Sequence, residues 1–168
     1  MADELTARFR RWFEYERDAH AKVFASLDTV PLDRRDGPDY RKAVGLLGHV
    51  VAAREVWLWR LGVWPTPPGQ LFFDDEPVDL GRIAATWQGL EAAWSNYLAG
   101  LTDADLARVF EYTSFDGGRF TNSVEEVLAH LFGHSSYHRG QIATRVRAAG
   151  GTPAATDFVY WCRQPVGS

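Results

Sequence analysis

Three histidines at four-residue intervals, His130, His134 and His138, run directly into Arg139, Gly140 and Gln141. The pattern from Ser123 to Ala149 predicts one helix, and residues four apart on a helix share a face. The imidazoles therefore form a stripe. Two imidazoles at that spacing can grip one divalent cation, because zinc and its relatives accept neutral histidine nitrogens at about 2.0–2.1 Å. All three cannot share one ion, since a rise of about 1.5 Å per residue separates His130 from His138 by roughly 12 Å. Either His130 with His134 or His134 with His138 binds, and a further ligand must come from elsewhere in the chain.

The remaining histidines are His20 and His49. His49 stands among Leu46, Leu47, Val50 and Val51, where an unpaired imidazole would cost about 1–3 kcal/mol, so it needs a hydrogen-bond partner or a metal. His20, near Asp18, Ala19 and Lys22, has the more polar setting and is the poorer ligand candidate. The residues alone point to His49 plus two of the histidines on the last helix around one cation. A blander reading is available for each part. A single histidine on an apolar face is more often a satisfied core residue, and one HxxxH arises readily by chance. Three in register, with a fourth on the apolar face of another helix, favour the metal. Arg139 and Gln141 could be solvent-facing or could bond between helices. Ser135 and Ser136 invite a serine-nucleophile reading, but adjacent helical positions diverge by about 100° and no strained turn presents either hydroxyl. Cys162 could be a nucleophile beside a histidine or metal; a cysteine in an aromatic tail is more often inert packing.

Four long amphipathic segments must position these groups. Apolar residues recur at helical spacing from Asp3 to Leu27, from Asp39 to Leu61 and from Leu80 to Leu98, and the fourth segment is Ser123 to Ala149. Thr29 to Pro38 reads as a loop, and Trp64 to Pro77 as a long proline-rich connection wrapping the bundle. Ser123 three residues before Glu126 is a capping-box signature. Between Arg108 and Asn122 the helical pattern lapses, and Asp116-Gly117-Gly118 is turn chemistry, so a short β-hairpin or structured loop is expected there. The aromatic tail from Thr156 to Arg163 should pack on the bundle. The expected fold is all-α, a four-helix bundle, with residues 1–168 as a single domain.

Composition narrows the function. Net charge is −4, and no block of Lys and Arg appears; nonspecific nucleic-acid binding depends on such blocks to neutralise phosphates, so a nucleic-acid partner is not expected. A single cysteine excludes an internal disulfide and fits a reducing cytoplasm. With so charged an N-terminus no signal peptide is expected, and the longest apolar run, Val44 to Ala53, is far short of a membrane span. No membrane partner is expected.

The run from His130 to Gln141, with Gly150-Gly-Thr-Pro153 and Asp157-Phe-Val-Tyr after it, resembles the DinB family of the DinB/YfiT-like superfamily. Gly48-His49 followed by Trp57-Leu58-Trp59-Arg60-Leu61 matches that family's second-helix pattern, and the likeness covers nearly the whole chain. It implies a four-helix bundle with a three-histidine divalent metal site, usually in a homodimer. Carried over residue by residue, the implied ligands are His49, His134 and His138. His130 becomes an additional polar group one turn away. Many relatives carry an acid five or six positions after the second-helix histidine; here Arg54 and Glu55 stand there.

Three neutral histidines leave a coordination position open, the layout of a catalytic site. A cation there could lower the pKa of a water ligand, as a hydrolase requires, or hold a thiol as thiolate. Superfamily relatives include S-transferases and isomerases that use bacillithiol or mycothiol. The leading expectation is thus a metal-dependent enzyme joining a low-molecular-weight thiol to a small-molecule substrate. A metal-dependent hydrolase is the alternative, although neither Glu126 nor Asp157 stands at motif spacing as a base. A metal-binding stress-response protein without turnover is the third reading. Imidazole donors suit several first-row ions, and Zn or Ni is expected.

Overall fold

The computed structural model describes residues 4–73 and 79–167. Helix α1 spans Glu4–Asp28 and buries Phe9, Phe13, Val23 and Leu27. A short 3-10 turn, Leu32–Arg34, follows within the expected loop. Helix α2, Pro38–Arg60, starts with Pro38 in its first turn, where the missing N–H has no intrahelical partner to lose. Helix α3, Leu80–Gly100, is capped by Asp79, whose carboxylate accepts from the Gly81 amide at 2.8 Å. The expected helix start at Asp3 and the expected end of the connection at Pro77 lie outside the described residues.

A four-residue helix α4, Asp103–Leu106, was not expected from the sequence; it is set by a Thr102–Asp105 capping box and is too short to show apolar periodicity. The hairpin is present. Strands β1 (Val109–Thr113) and β2 (Arg119–Ser123) pair antiparallel, Val109 opposite Ser123. Helix α5, Val124–Ala148, begins at the expected capping box: Ser123 Oγ accepts from the Glu126 amide at 3.1 Å, and Glu126 returns a carboxylate to the Ser123 amide at 2.9 Å. It ends where Gly150 adopts φ +86°, a left-handed conformation that only glycine takes without steric cost. A final turn, α6 (Phe158–Cys162), lays Phe158 and Trp161 against the Tyr15 ring of α1.

Cross-helix pairings give the helix directions. Trp12 stacks on Phe132 and Tyr15 meets Arg139, so α1 and α5 run parallel. Arg10 bonds the Leu98 carbonyl and Arg17 pairs with Glu91, so α3 opposes α1. The pairs His49–His134 and Trp57–His130 make α2 oppose α5. Helices α2 and α3 therefore run the same way, which a long connection between them permits. Trp94, Leu47, Leu58, Leu90, Leu131 and Ile142 fill the interior, each such side chain contributing about 1.5–3 kcal/mol by leaving water. Among the described residues no helix is long and apolar enough to cross a membrane.

The hairpin is fastened to the end of α2. The Arg60 guanidinium lies 4.8 Å from the Trp57 ring and 4.6 Å from that of Tyr112, and donates to the Thr113 carbonyl. Beyond α2, residues 71–73 fold back along the same helix. Phe73 lies on Gly45 and Gly48; a Cβ on Gly45 would come within 2.6 Å of the Phe73 carbonyl oxygen, so only glycine lets the segment approach this closely.

Candidate metal centre

The antiparallel α2–α5 pair brings His49, His134 and His138 together, with one potential ligand nitrogen from each within 4.8 Å of the others. The His49 ring lies 4.9 Å from that of His134 and 4.8 Å from that of His138, between the two. All three are half-buried at the rim of the bundle. His130, one turn back, is exposed; its ring is 5.4 Å from that of His134 and 6.1 Å from Trp57, outside the cluster.

Hydrogen bonds set the tautomers of two rings. His49 Nδ1 lies 2.8 Å from the Leu71 carbonyl oxygen, an acceptor only, so Nδ1 carries the hydrogen and Nε2 a lone pair. His138 Nδ1 likewise donates to Gln141 Oε1 at 2.8 Å, leaving its Nε2 free. His49 Nε2 and His134 Nε2 face each other at 3.0 Å. Nitrogens around a tetrahedral ion at about 2.0–2.1 Å stand about 3.3 Å apart, so the pair needs only a slight opening to embrace a cation. His134 Nδ1 is buried without a partner. The donor set fits a divalent ion of the zinc type.

Burial and neighbouring charge keep His134 and His138 in the neutral, ligating form. Burial pushes the His134 imidazole down to about 3, helped by His138, His49, His130 and Arg54. His138 is lowered by burial, a shift opposed by the Gln141 acceptor and reinforced by His49. Burial and then Arg54 lower His130. Proton competition for these nitrogens is therefore weak near neutrality.

Two supports come from a segment that carries no motif. Leu71 supplies a backbone carbonyl, which any residue could, and the Phe72 ring stacks on His49 at 5.1 Å while itself largely exposed. Neither is signalled by its residue type. Gln141 does stand in the sequence motif, and its acceptor role follows from lying three residues beyond His138 on one helix face.

Other candidates fall elsewhere. His20 is fully buried, against the expectation of a polar setting: its ring meets Trp87 edge-on at 4.5 Å, and neither nitrogen has a hydrogen-bond partner. Burial and then Arg139 drive its pKa down to about 3. Arg139 is buried too, donating to the Tyr15 hydroxyl at 2.8 Å. Arg54 is buried in an ion pair with Glu16 of α1. Glu55 accepts from Trp64 Nε1 at 3.2 Å. Ser135 is buried, Glu126 is held in the α5 cap, and Asp157 stands at the start of α6. Cys162 is partly exposed, and neither it nor Asp157 joins a metal-compatible cluster among the described residues.

The chain matches no curated protein. Its fold is shared with a DinB-like protein from Bacillus cereus whose crystal structure superposes with a TM-score of 0.61 at 23% identity, covering 88% of this chain and 94% of that one. The sequence profile of the DinB family matches residues 1–164. A match of that extent, over a bundle with this hairpin and this histidine cluster, establishes that the chain belongs to the DinB family.

Proposed function

We propose that His49, His134 and His138 bind one divalent cation, Zn or Ni, and that the site joins a low-molecular-weight thiol to a small electrophile. The observation that carries the reading is the convergence of the three imidazoles, with His49 Nε2 and His134 Nε2 at 3.0 Å. When bound, the cation would supply a positive centre at which a thiol loses its proton. The chain's own residues do the positioning. Leu71 and Gln141 hold the His49 and His138 rings so that their Nε2 atoms converge, and Phe72 covers one face of His49. In the transfer, the sulfur forms a bond to the electrophilic carbon as that carbon's leaving group departs with its electron pair. The thiol proton passes to solvent.

A hydrolase would need a base beside the site, and no carboxylate belongs to the cluster among the described residues; this favours the thiol. We place the protein in the cytoplasm, which its single cysteine fits, and, by the family resemblance, in a homodimer. Untagged protein should carry about one equivalent of Zn or Ni by elemental analysis, and His138→Ala should carry far less. Metal-loaded protein should bind a bacterial thiol by calorimetry and consume it with an electrophile. Protein that takes up no divalent ion overturns the metal site; a loaded protein indifferent to every thiol, yet active in a hydrolase panel, overturns the transfer.

A further inference from the structure

Behind the imidazoles lies a buried set of charges that the proposed reaction does not use. Glu16 of α1, Arg54 of α2 and Arg139 of α5 are each no more than 3% exposed. Arg54 Nη2 pairs closely with Glu16 Oε2, and Arg139 Nη1 stands 3.8 Å from Glu16 Oε1. Their buried neighbours include His20, which is neutral there, and the Tyr15 hydroxyl, which accepts from Arg139. Two guanidiniums thus face one carboxylate. Arg54 Nε, Arg139 Nε, Arg139 Nη1 and Glu16 Oε1 have no hydrogen-bond partner, and among the described residues no second buried carboxylate balances the second guanidinium.

This excess adjoins the candidate metal centre. Arg139 directly follows His138 on α5, and Arg54 lies five residues beyond His49 on α2, about 7.5 Å along the helix axis. Three neutral imidazoles leave a divalent ion its full charge, and among the described residues no carboxylate belongs to their cluster. We propose, building on the metal reading above, that the open coordination position selects an anionic ligand, a thiolate or similar small monoanion, and that the net charge of Glu16, Arg54 and Arg139 sets its affinity. These are positioning residues; none touches the ligand. A protein interior screens charge poorly, so a unit charge within about 10 Å acts on the ligand with roughly a tenfold effect at an effective dielectric constant of about 20.

Cobalt(II)-loaded protein titrated with azide, followed by visible absorption, tests this without turnover. Arg54→Met and Arg139→Met each bring the cluster to neutrality and should weaken azide about tenfold. Glu16→Gln removes the one negative charge, raising the net positive charge by one, and should tighten it by a similar factor. The double variant Glu16→Gln/Arg54→Met dismantles the ion pair but keeps the wild-type net charge, and its affinity should match wild type. Two methionine variants guard against one failing to fold. If the double variant weakens azide as Arg54→Met does, or if affinity ignores charge altogether, the proposal is wrong while the metal site stands. Protein that binds no cobalt overturns both readings.

Discussion

His20 should make the fold sensitive to acid. In an unfolded chain its imidazole titrates near 6.5; in the folded chain, fully buried beside Trp87 and within reach of the Arg139 charge, it titrates near 3. Between those values the unfolded state holds a proton that the folded state refuses. Stability must then fall as pH falls from about 6.5 toward about 3, with up to about 1.4 kcal/mol lost per pH unit. At pH 5 the loss from this one group amounts to about 2 kcal/mol. The perturbation that isolates it is His20→Leu, a near-isosteric change that cannot charge. Both ring nitrogens lack partners, so leucine forfeits no hydrogen bond and should leave stability at pH 7 within about 1 kcal/mol of wild type. Urea unfolding at pH 7 and pH 5, in chelator so that metal release does not intervene, measures the difference of differences. Wild type should lose about 2 kcal/mol more than His20→Leu over that interval. Equal losses would show that the imidazole is protonated or solvated in the folded state, and the reasoning would fail.

Two further outcomes follow from the supports of the centre. Gln141→Leu removes the acceptor that orients His138 and should weaken divalent-ion binding about 10–100-fold in a competition titration, while Gln141→Glu keeps the acceptor and the affinity; no difference between the two variants would dismiss Gln141 as a support. Gly45→Ala drives a Cβ against the Phe73 carbonyl and should cost about 1–3 kcal/mol, with faster hydrogen exchange at residues 70–73. An unchanged exchange pattern there would mean that the segment is not held by its contact with α2.

What the sequence could disclose depended on whether the deciding contact was local. The α5 start was readable because Ser123 and Glu126 complete their box within one turn. The α4 turn was not, being too short for a period to register. Spacing on α5 alone left two histidine pairs open. The choice turns on a contact 85 residues apart in sequence, between His49 and His134. Antiparallel packing fixes it: moving along α2 from His49 to Trp57 moves backward along α5, so Trp57 meets His130 while His49 sits between His134 and His138.

His20 shows the opposite failure, in which nearby residues mislead. Asp18 and Lys22 each lie two positions away, which on a helix is about 200° and thus the far side. Of the residues three, four and seven away, Phe13, Glu16, Val23 and Leu27 are buried, Phe24 is partly buried and only Arg17 is exposed. A facial reading would have put His20 in the core and shown Glu16 as a carboxylate there without a partner in its own helix. The same reading of α2 and α5 places Arg54 and Arg139 inward, and three buried charges on three helices can be reconciled only by meeting. Arg54, five residues beyond His49, is then no defect of the metal centre. It is the counter-charge of an acid supplied from α1, and the second guanidinium tips the balance behind the imidazoles to positive.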